Sequence, residues 1–317
     1  MKLAFVFPGQ GSQYVGMGQA LAREYPEARA ALDEADAALK GGLLRMMSDG
    51  PEEELRKTAN TQPAILAVSV AAHRALVREA GGTFKFPAFH AGHSLGEYSA
   101  LVAAGALSLS DAVRAVRARG TFMQEAVPAG EGAMAAILGL EAPLVKEACA
   151  EAARQEKGRV VAPANYNSPE QTVIAGHAAA VDRAIVLCKE KGAKRAMALP
   201  VSAPFHCSLM SPVQPRLAEV LGTVQFKQTS IPVIANATAE ANTDPALIVP
   251  LLLTQVTAPV RWVETIQKMA LNGVDTLIEL GPGKVLTGLT RRIDKGLRAY
   301  AVEDPAGLKA VLAEVFR

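Results

Sequence analysis

Three cysteines, one tryptophan, five histidines and 5% aromatic residues are little for a chain of 317 residues. Cys149, Cys188 and Cys207 form no Cys-x-x-Cys pair, so neither a disulfide framework nor a zinc site is expected, and a reducing cytoplasm is the default setting. The scarcity of aromatics argues against a base-stacking surface. A net charge of +2 without a long basic run gives nucleic acid no electrostatic footprint. No apolar run is long enough to span a bilayer. The first one, Leu3 to Phe7, stops at Pro8-Gly9, too short for the apolar stretch of a signal peptide, and is expected as a buried strand. Repeats and low-complexity tracts are also missing.

What the chain does have is 50% hydrophobic residues, ample for one large or two modest domains. Short apolar runs alternate with helical patterns, which implies a parallel sheet covered on both faces. Strand LAFVF leads into the glycine-rich loop PGQGSQYVGMG and helical segments to about residue 80. A second buried strand near FPAFHAG leads into GHSLG, and Ser108-Leu-Ser-Asp111 opens a helix over about 110–126. Between about 128 and 197 the order strand, helix, strand, strand, helix, strand is the split βαβ pattern of a ferredoxin-like unit. The expected architecture is therefore a large α/β unit, 1–127 and 198–317, with a small ferredoxin-like unit, 128–197, inserted into it. The return path is expected to hold a helix near 208–222, strand IPVIAN, helices over 245–272, strand DTLIELGP and a last strand-helix pair. Ligands collect at the carboxyl ends of parallel strands, where both glycine-rich turns fall, so a cleft between the units is the expected site.

Gly92-His93-Ser94-Leu95-Gly96 puts a serine on a tight turn between a buried strand and a helix of small residues. Serine is a favoured helix cap, so the turn has a purely structural reading. The strand-turn-helix context favours a nucleophile instead, with the Leu95 N–H aimed at an oxyanion. The PGQGSQ loop is the natural source of a second donor, the Gln10 N–H, unless it is only a turn. It lacks the Gly-Lys-Ser/Thr of a Walker loop and a full Gly-x-Gly-x-x-Gly.

A serine needs a base. His73 falls in a helix, His177 ends a strand, and His90 and His93 project from the strand beneath Ser94. His206, in the loop VSAPFHCSLM, is left, with neighbouring Cys207 read as packing. Asp182 and Glu190 lie on surface helices of the insert, so no acid is placed to orient His206, and a backbone or amide carbonyl is the substitute. On a wheel at about 100° per residue, Arg119 lies within about 30° of the middle of the apolar stripe Ala112, Val113, Ala115, Val116, Ala118, Phe122 and Met123. Arg114 and Arg117 fall opposite and read as solvated. An inward guanidinium needs a partner, either an internal acid or a substrate carboxylate held by its planar fork.

This set resembles the malonyl-CoA:acyl carrier protein transacylase family over essentially the whole chain. FVFPGQGSQYVGMG, TQPA, GHSLGEYSALVAAGALS, VRARGTFMQEAV, PFH and ELGPGKVLTGL occur in that family's order. The resemblance implies an α/β-hydrolase-like core with a ferredoxin-like insert. It implies Ser94 as acyl acceptor, His206 as base, the Gln10 and Leu95 amides as oxyanion hole, and the Gln255 carbonyl as the group orienting His206. Arg119 is implied as the malonyl carboxylate clamp, with Gln62, His93 and Phe205 beside the substrate; a phenylalanine before the base leans toward malonyl over methylmalonyl.

The activity implied is ping-pong transfer of malonyl from malonyl-CoA to the phosphopantetheine thiol of acyl carrier protein, in fatty acid or polyketide biosynthesis. No cofactor, metal, nucleic acid or membrane is expected, and the chain is expected to be a monomer. Because carrier protein is acidic in this family, Lys189, Lys191, Lys194, Arg195, Lys284, Arg291 and Arg292 are candidates for a steering rim. Two rivals share the core. A serine hydrolase or thioesterase releases free malonate, and a silent docking subunit binds acyl-CoA without covalent change.

Overall fold

The structure, a computed structural model, describes residues 1–201 and 203–317. Ser202, inside the expected VSAPFHCSLM loop, lies outside the described residues. In chain order the strands are β1 (Leu3–Phe7), β2 (Phe89–Gly92), β3 (Gly132–Leu138), β4 (Val161–Ser168), β5 (Gln171–His177), β6 (Arg195–Ala198), β7 (Val233–Ile234), β8 (Ala241–Asn242), β9 (Thr276–Leu280) and β10 (Arg298–Val302). They form two sheets.

The larger sheet has the order β10-β9-β1-β2-β7-β8, parallel except for the β7–β8 pair. Central β1 is buried at every position. Leu3, Phe5 and Phe7 join the core under the helices Thr58–Ala80 and Leu109–Glu125. Ala4 and Val6 face Trp262, Ile266 and Leu289 on the other side. A strand covered on both faces needs no polar alternation, which is why LAFVF reads as an unbroken apolar run. The helix Leu109–Glu125 starts where its cap was expected, with Ser108 Oγ accepting from the Asp111 N–H at 3.1 Å.

The smaller sheet has the order β4-β5-β3-β6, antiparallel throughout, with the helices Ala142–Gln155 and Ala178–Glu190 on one face. That is the ferredoxin-like arrangement. Cys149 and Cys188 are buried in it as free thiols. The two sheets are tied by backbone bonds around Val260, whose N–H donates to Ala164 and whose carbonyl accepts from Tyr166, both at 2.9 Å.

Local differences from the expected pattern have local causes. β6 is short and runs one residue past the expected boundary at 197. IPVIAN keeps only Val233–Ile234 as strand, because the chain turns back to form β8. The expected helix near 208–222 is a 3-10 turn, Ser208–Met210, then the helix Val213–Gly222, because Pro212 cannot donate within a continuous helix. The helices expected over 245–272 are present as Pro245–Thr257 and Trp262–Leu271, and Val260 between them is free for its tie to β4. Among the described residues no helix is long and apolar enough to cross a membrane.

Candidate active site

β1 and β2 are adjacent, with Phe7 opposite Gly92, so the loops that follow leave the sheet side by side. The His93 N–H donates to the Phe7 carbonyl at 3.0 Å. Ser94 then takes a φ of 54°, left-handed for a residue with a side chain, which lifts its hydroxyl off the turn. The flanking glycines are required by contact. A Cβ at Gly92 falls 1.9 Å from Gly96, and one at Gly96 falls 2.2 Å from the Phe7 carbonyl oxygen. Asn236 clamps the turn from outside, its Oδ1 accepting from the Ser94 N–H at 2.6 Å and its Nδ2 donating to the Gly92 carbonyl at 2.7 Å.

His206, also left-handed at φ 59°, brings Nε2 to 2.7 Å from Ser94 Oγ. Its Nδ1 lies 2.9 Å from the Gln255 backbone carbonyl. A carbonyl only accepts, so Nδ1 carries the proton and Nε2 presents a lone pair to the serine hydroxyl. Burial first, and the Arg119 guanidinium second, pull the imidazole pKa from 6.5 down to about 3, so the resting base is neutral.

Arg119 is 1% exposed, on the inward face as its wheel position requires. Its Nη1 donates to Gln62 Oε1 at 2.9 Å, and its Nη2 donates to Gln255 Oε1 at 2.9 Å and to Ser94 Oγ at 3.1 Å. The Tyr98 ring lies 5.8 Å from the guanidinium carbon. Among the described residues no carboxylate forms a salt bridge with Arg119, and its Nε has no partner. Burial lowers its pKa, yet a guanidinium stays charged in proteins. The hydrogen bonds of this cation thus end on neutral oxygens, with the buried Glu97 carboxylate nearby but outside salt-bridge contact. An arriving carboxylate improves on that arrangement.

These groups open into a cavity of about 550 Å³ at the carboxyl ends of β1 and β2. Gln10, Gln62, His93, Ser94, Leu95, Arg119, Phe205 and His206 all line it, while Gln255 stands behind them, fully buried. Among the described residues neither the Gln10 nor the Leu95 N–H donates to a protein acceptor, so both are free to donate to a ligand oxygen. Gln10 is steadied by its own Nε2, which donates to Thr58 Oγ1 at 3.3 Å. Gln62 is held by its bond to Arg119 and a 3.9 Å contact to the Met123 sulfur.

Among the described residues none of the other histidines bonds to the Ser94 hydroxyl. His73 and His90 pack against Phe5 and Phe7, where burial takes their pKa values to about 4 and about 3. His177 Nδ1 accepts from the Val160 N–H at 2.9 Å. His93 sits 2.8 Å from Asn167 Oδ1 of β4, so it joins the two sheets across the cavity wall. Cys207 is buried with its thiol directed at the Pro204 carbonyl.

One sequence-based reading is corrected. Arg117 is not a solvated arginine; it is half-buried and donates to Asn60 Oδ1, because the helix Thr58–Ala80 packs against its own helix. Sequence reasoning also missed Asn236, the Gln255 side chain and Glu97. Glu97 alone carried a signal, being an acid in the first turn after GHSLG, on a helix otherwise free of charge. Among the described residues no group of three or more His, Cys, Asp or Glu side chains is set to hold a metal ion.

The site is thus a strand-turn serine bonded to a histidine, in an α/β fold with a ferredoxin-like insert. The chain fits the family described as acyl transferase domain over residues 4–306, and it is an acyltransferase. It is 50% identical over 313 residues to the malonyl CoA-acyl carrier protein transacylase of Salmonella typhimurium, covering 99% of each chain. A solved acyl carrier protein S-malonyltransferase from Vibrio cholerae superposes with a TM-score of 0.94 at 52% identity, covering 98% of this chain and 100% of that one. A malonyl-transacylase solved in complex with its type II PKS acyl-carrier protein gives a TM-score of 0.94 at 48% identity, covering 99% of both. The chain belongs to the malonyl CoA-acyl carrier protein transacylase family.

Proposed function

We propose that the enzyme moves a malonyl group from malonyl-CoA to the phosphopantetheine thiol of acyl carrier protein, through a malonyl-Ser94 intermediate. The observation that carries this reading is Arg119, a buried cation that among the described residues makes no salt bridge, 3.1 Å from the Ser94 hydroxyl, with the Glu97 carboxylate near but not in contact with it. A small diacid satisfies both groups, its carboxylate on the guanidinium and its carbonyl carbon against Ser94 Oγ. The names of the relatives point to the same donor and acceptor.

In the first half-reaction His206 Nε2 takes the Ser94 proton as Oγ attacks the thioester carbonyl. The oxygen that gains charge is met by the Gln10 and Leu95 N–H groups. Collapse expels CoA, which leaves as the thiol with the proton from His206. In the second half-reaction His206 takes the proton of the carrier thiol, the thiolate attacks malonyl-Ser94, and Ser94 recovers the proton. Every step uses groups of this chain and the two thiols.

The electrostatics make the base responsive to its substrate. In the empty site Arg119 is one of the causes that hold the His206 pKa down. A malonyl carboxylate on Arg119 offsets that charge, so the base strengthens when the correct acyl group arrives. The cleft runs between the proposed large unit, 1–127 and 198–317, and the proposed small unit, 128–197.

Intact mass after mixing with malonyl-CoA tests the reading, with Ser94→Ala alongside. A malonyl adduct on the native chain that is absent from the variant, and discharged by holo-carrier protein, is the expected result. Free malonate without an adduct marks a hydrolase, and binding without covalent change marks a silent subunit.

A further inference from the structure

Beneath the reacting groups lies a carboxylate that none of these steps uses. Glu97 stands in the first turn of the helix Gly96–Ala103, where the helix dipole favours negative charge, and is 3% exposed. Among the described residues both of its hydrogen bonds end on one oxygen. Oε2 accepts from the Asn236 N–H at 2.9 Å and from Gln255 Nε2 at 2.8 Å. These two partners are the residues that hold the reaction geometry. Asn236 clamps the Ser94 turn through its side chain. Gln255 does more, because its backbone carbonyl orients His206 at 2.9 Å and its Oε1 accepts from Arg119 at 2.9 Å.

The side-chain amide of Gln255 has one oxygen and two N–H groups to place. Nε2 donates to Glu97 and, at 3.0 Å, to the Ser94 carbonyl. Only that orientation turns Oε1 toward the guanidinium; the flipped amide sets N–H against a cation.

We infer that Glu97 is a positioning residue for acyl transfer: its Oε2 locks the Gln255 amide toward Arg119 and fixes Asn236 behind Ser94, so one buried oxygen sets clamp, base and nucleophile together. The inference rests on the acyl-transfer reading above. It depends on the oxygen and not on its charge. Burial raises the Glu97 pKa to about 7, against the bonds from Asn236 and Gln255 and the nearby Arg119, and the acid keeps an acceptor oxygen when protonated.

Two mild substitutions separate reach from charge. Glu97→Gln keeps an oxygen at the same distance and drops the charge, while Glu97→Asp keeps the charge and withdraws the oxygen by one methylene. Misplacement on the order of 1 Å costs about 10²-fold in rate. Glu97→Asp is therefore expected to slow malonyl loading of Ser94 at least about 30-fold and to narrow the malonyl-over-acetyl ratio of kcat/KM about tenfold. Glu97→Gln is expected to recover most of both. Rates are taken per folded molecule, from melting curves, because a purely structural role changes the folded fraction and leaves the acyl ratio alone. The inference is overturned if Glu97→Gln falls as far as Glu97→Asp, or if Glu97→Asp keeps the native ratio. Should Glu97→Asp not fold, Glu97→Gln decides alone: a near-native ratio supports the inference, and a collapsed one overturns it. Phosphonylation of Ser94 by a fluorophosphonate gives the same ranking without malonyl-CoA. A native chain that reacts with that probe but takes no malonyl therefore counts against the acyl-transfer reading, and the Glu97 comparison remains legible.

Discussion

Arg119 and His206 are two bases with opposite requirements, and each is set by what surrounds it. The guanidinium must stay charged and unclaimed, which the carbonyl oxygens of Gln62 and Gln255 allow. Arg119→Ala is expected to lower malonyl kcat/KM by roughly 10- to 100-fold, the worth of a charge-assisted contact of about 1.5–3 kcal/mol, and to spare acetyl transfer. Equal losses with both acyl groups contradict a clamp. The imidazole must stay neutral. Burial and Arg119 both lower its pKa, so the acid limb of kcat/KM, which reports the free enzyme, lies well below 6.5. Removing the guanidinium removes one of those causes, so with acetyl-CoA as donor Arg119→Ala is expected to move the limb to higher pH. A limb that stays put removes the coupling between clamp and base. At this scale the sequence was legible where a residue contradicted its surroundings, as Arg119 did on an apolar face and Ser94 did between glycines. Asn236 is an unremarked polar residue in sequence, and its role exists only after β2 and β7 pair. The part played by the Gln255 carbonyl follows from no side chain at all, and only the family resemblance pointed to it.

At the scale of elements, the turn between β2 and the helix Gly96–Ala103 leaves no room for a side chain at either flanking glycine. Gly96→Ala sets a methyl 2.2 Å from the Phe7 oxygen and 2.9 Å from that of Pro8. Overpacking of this kind costs about 1–3 kcal/mol, and here it also pushes Ser94 away from His206. Denaturant midpoint and fluorophosphonate labelling are expected to fall together; unchanged labelling shows that the elbow tolerates a side chain. Helices with a clean apolar stripe were readable from sequence, as was β1, whose apolar run records cover on both faces. Strand lengths were less so. β7 keeps two residues because the chain folds back as β8, and β6 is short at the edge of its sheet. The helices over 245–272 were legible but not the place where they divide, near Val260, because that point is tied to β4, a strand far away in sequence.

Across the whole molecule, the two sheets meet along the cavity and are joined by Val260 and by His93 with Asn167. The order of strands and helices made the ferredoxin-like insert legible, since its pattern repeats locally. The positions of the basic residues do not by themselves make a docking surface. Lys191, Lys194 and Lys284 have acidic neighbours at 3.6, 3.8 and 3.1 Å, while Lys189 and Arg291 are exposed. If the rim steers an acidic carrier, raising salt slows the carrier half-reaction more than the CoA half-reaction. Equal slowing of both removes the steering. Where the acyl group lies once loaded tests the roles of Ser94 and Arg119 most directly. A crystal structure of the malonyl enzyme is expected to show the ester on Ser94 Oγ and the free carboxylate on the two Nη atoms of Arg119, replacing the Ser94–Arg119 bond. An acyl chain with its carboxylate in solvent, or gripped by any other residue while Arg119 keeps its present partners, contradicts it.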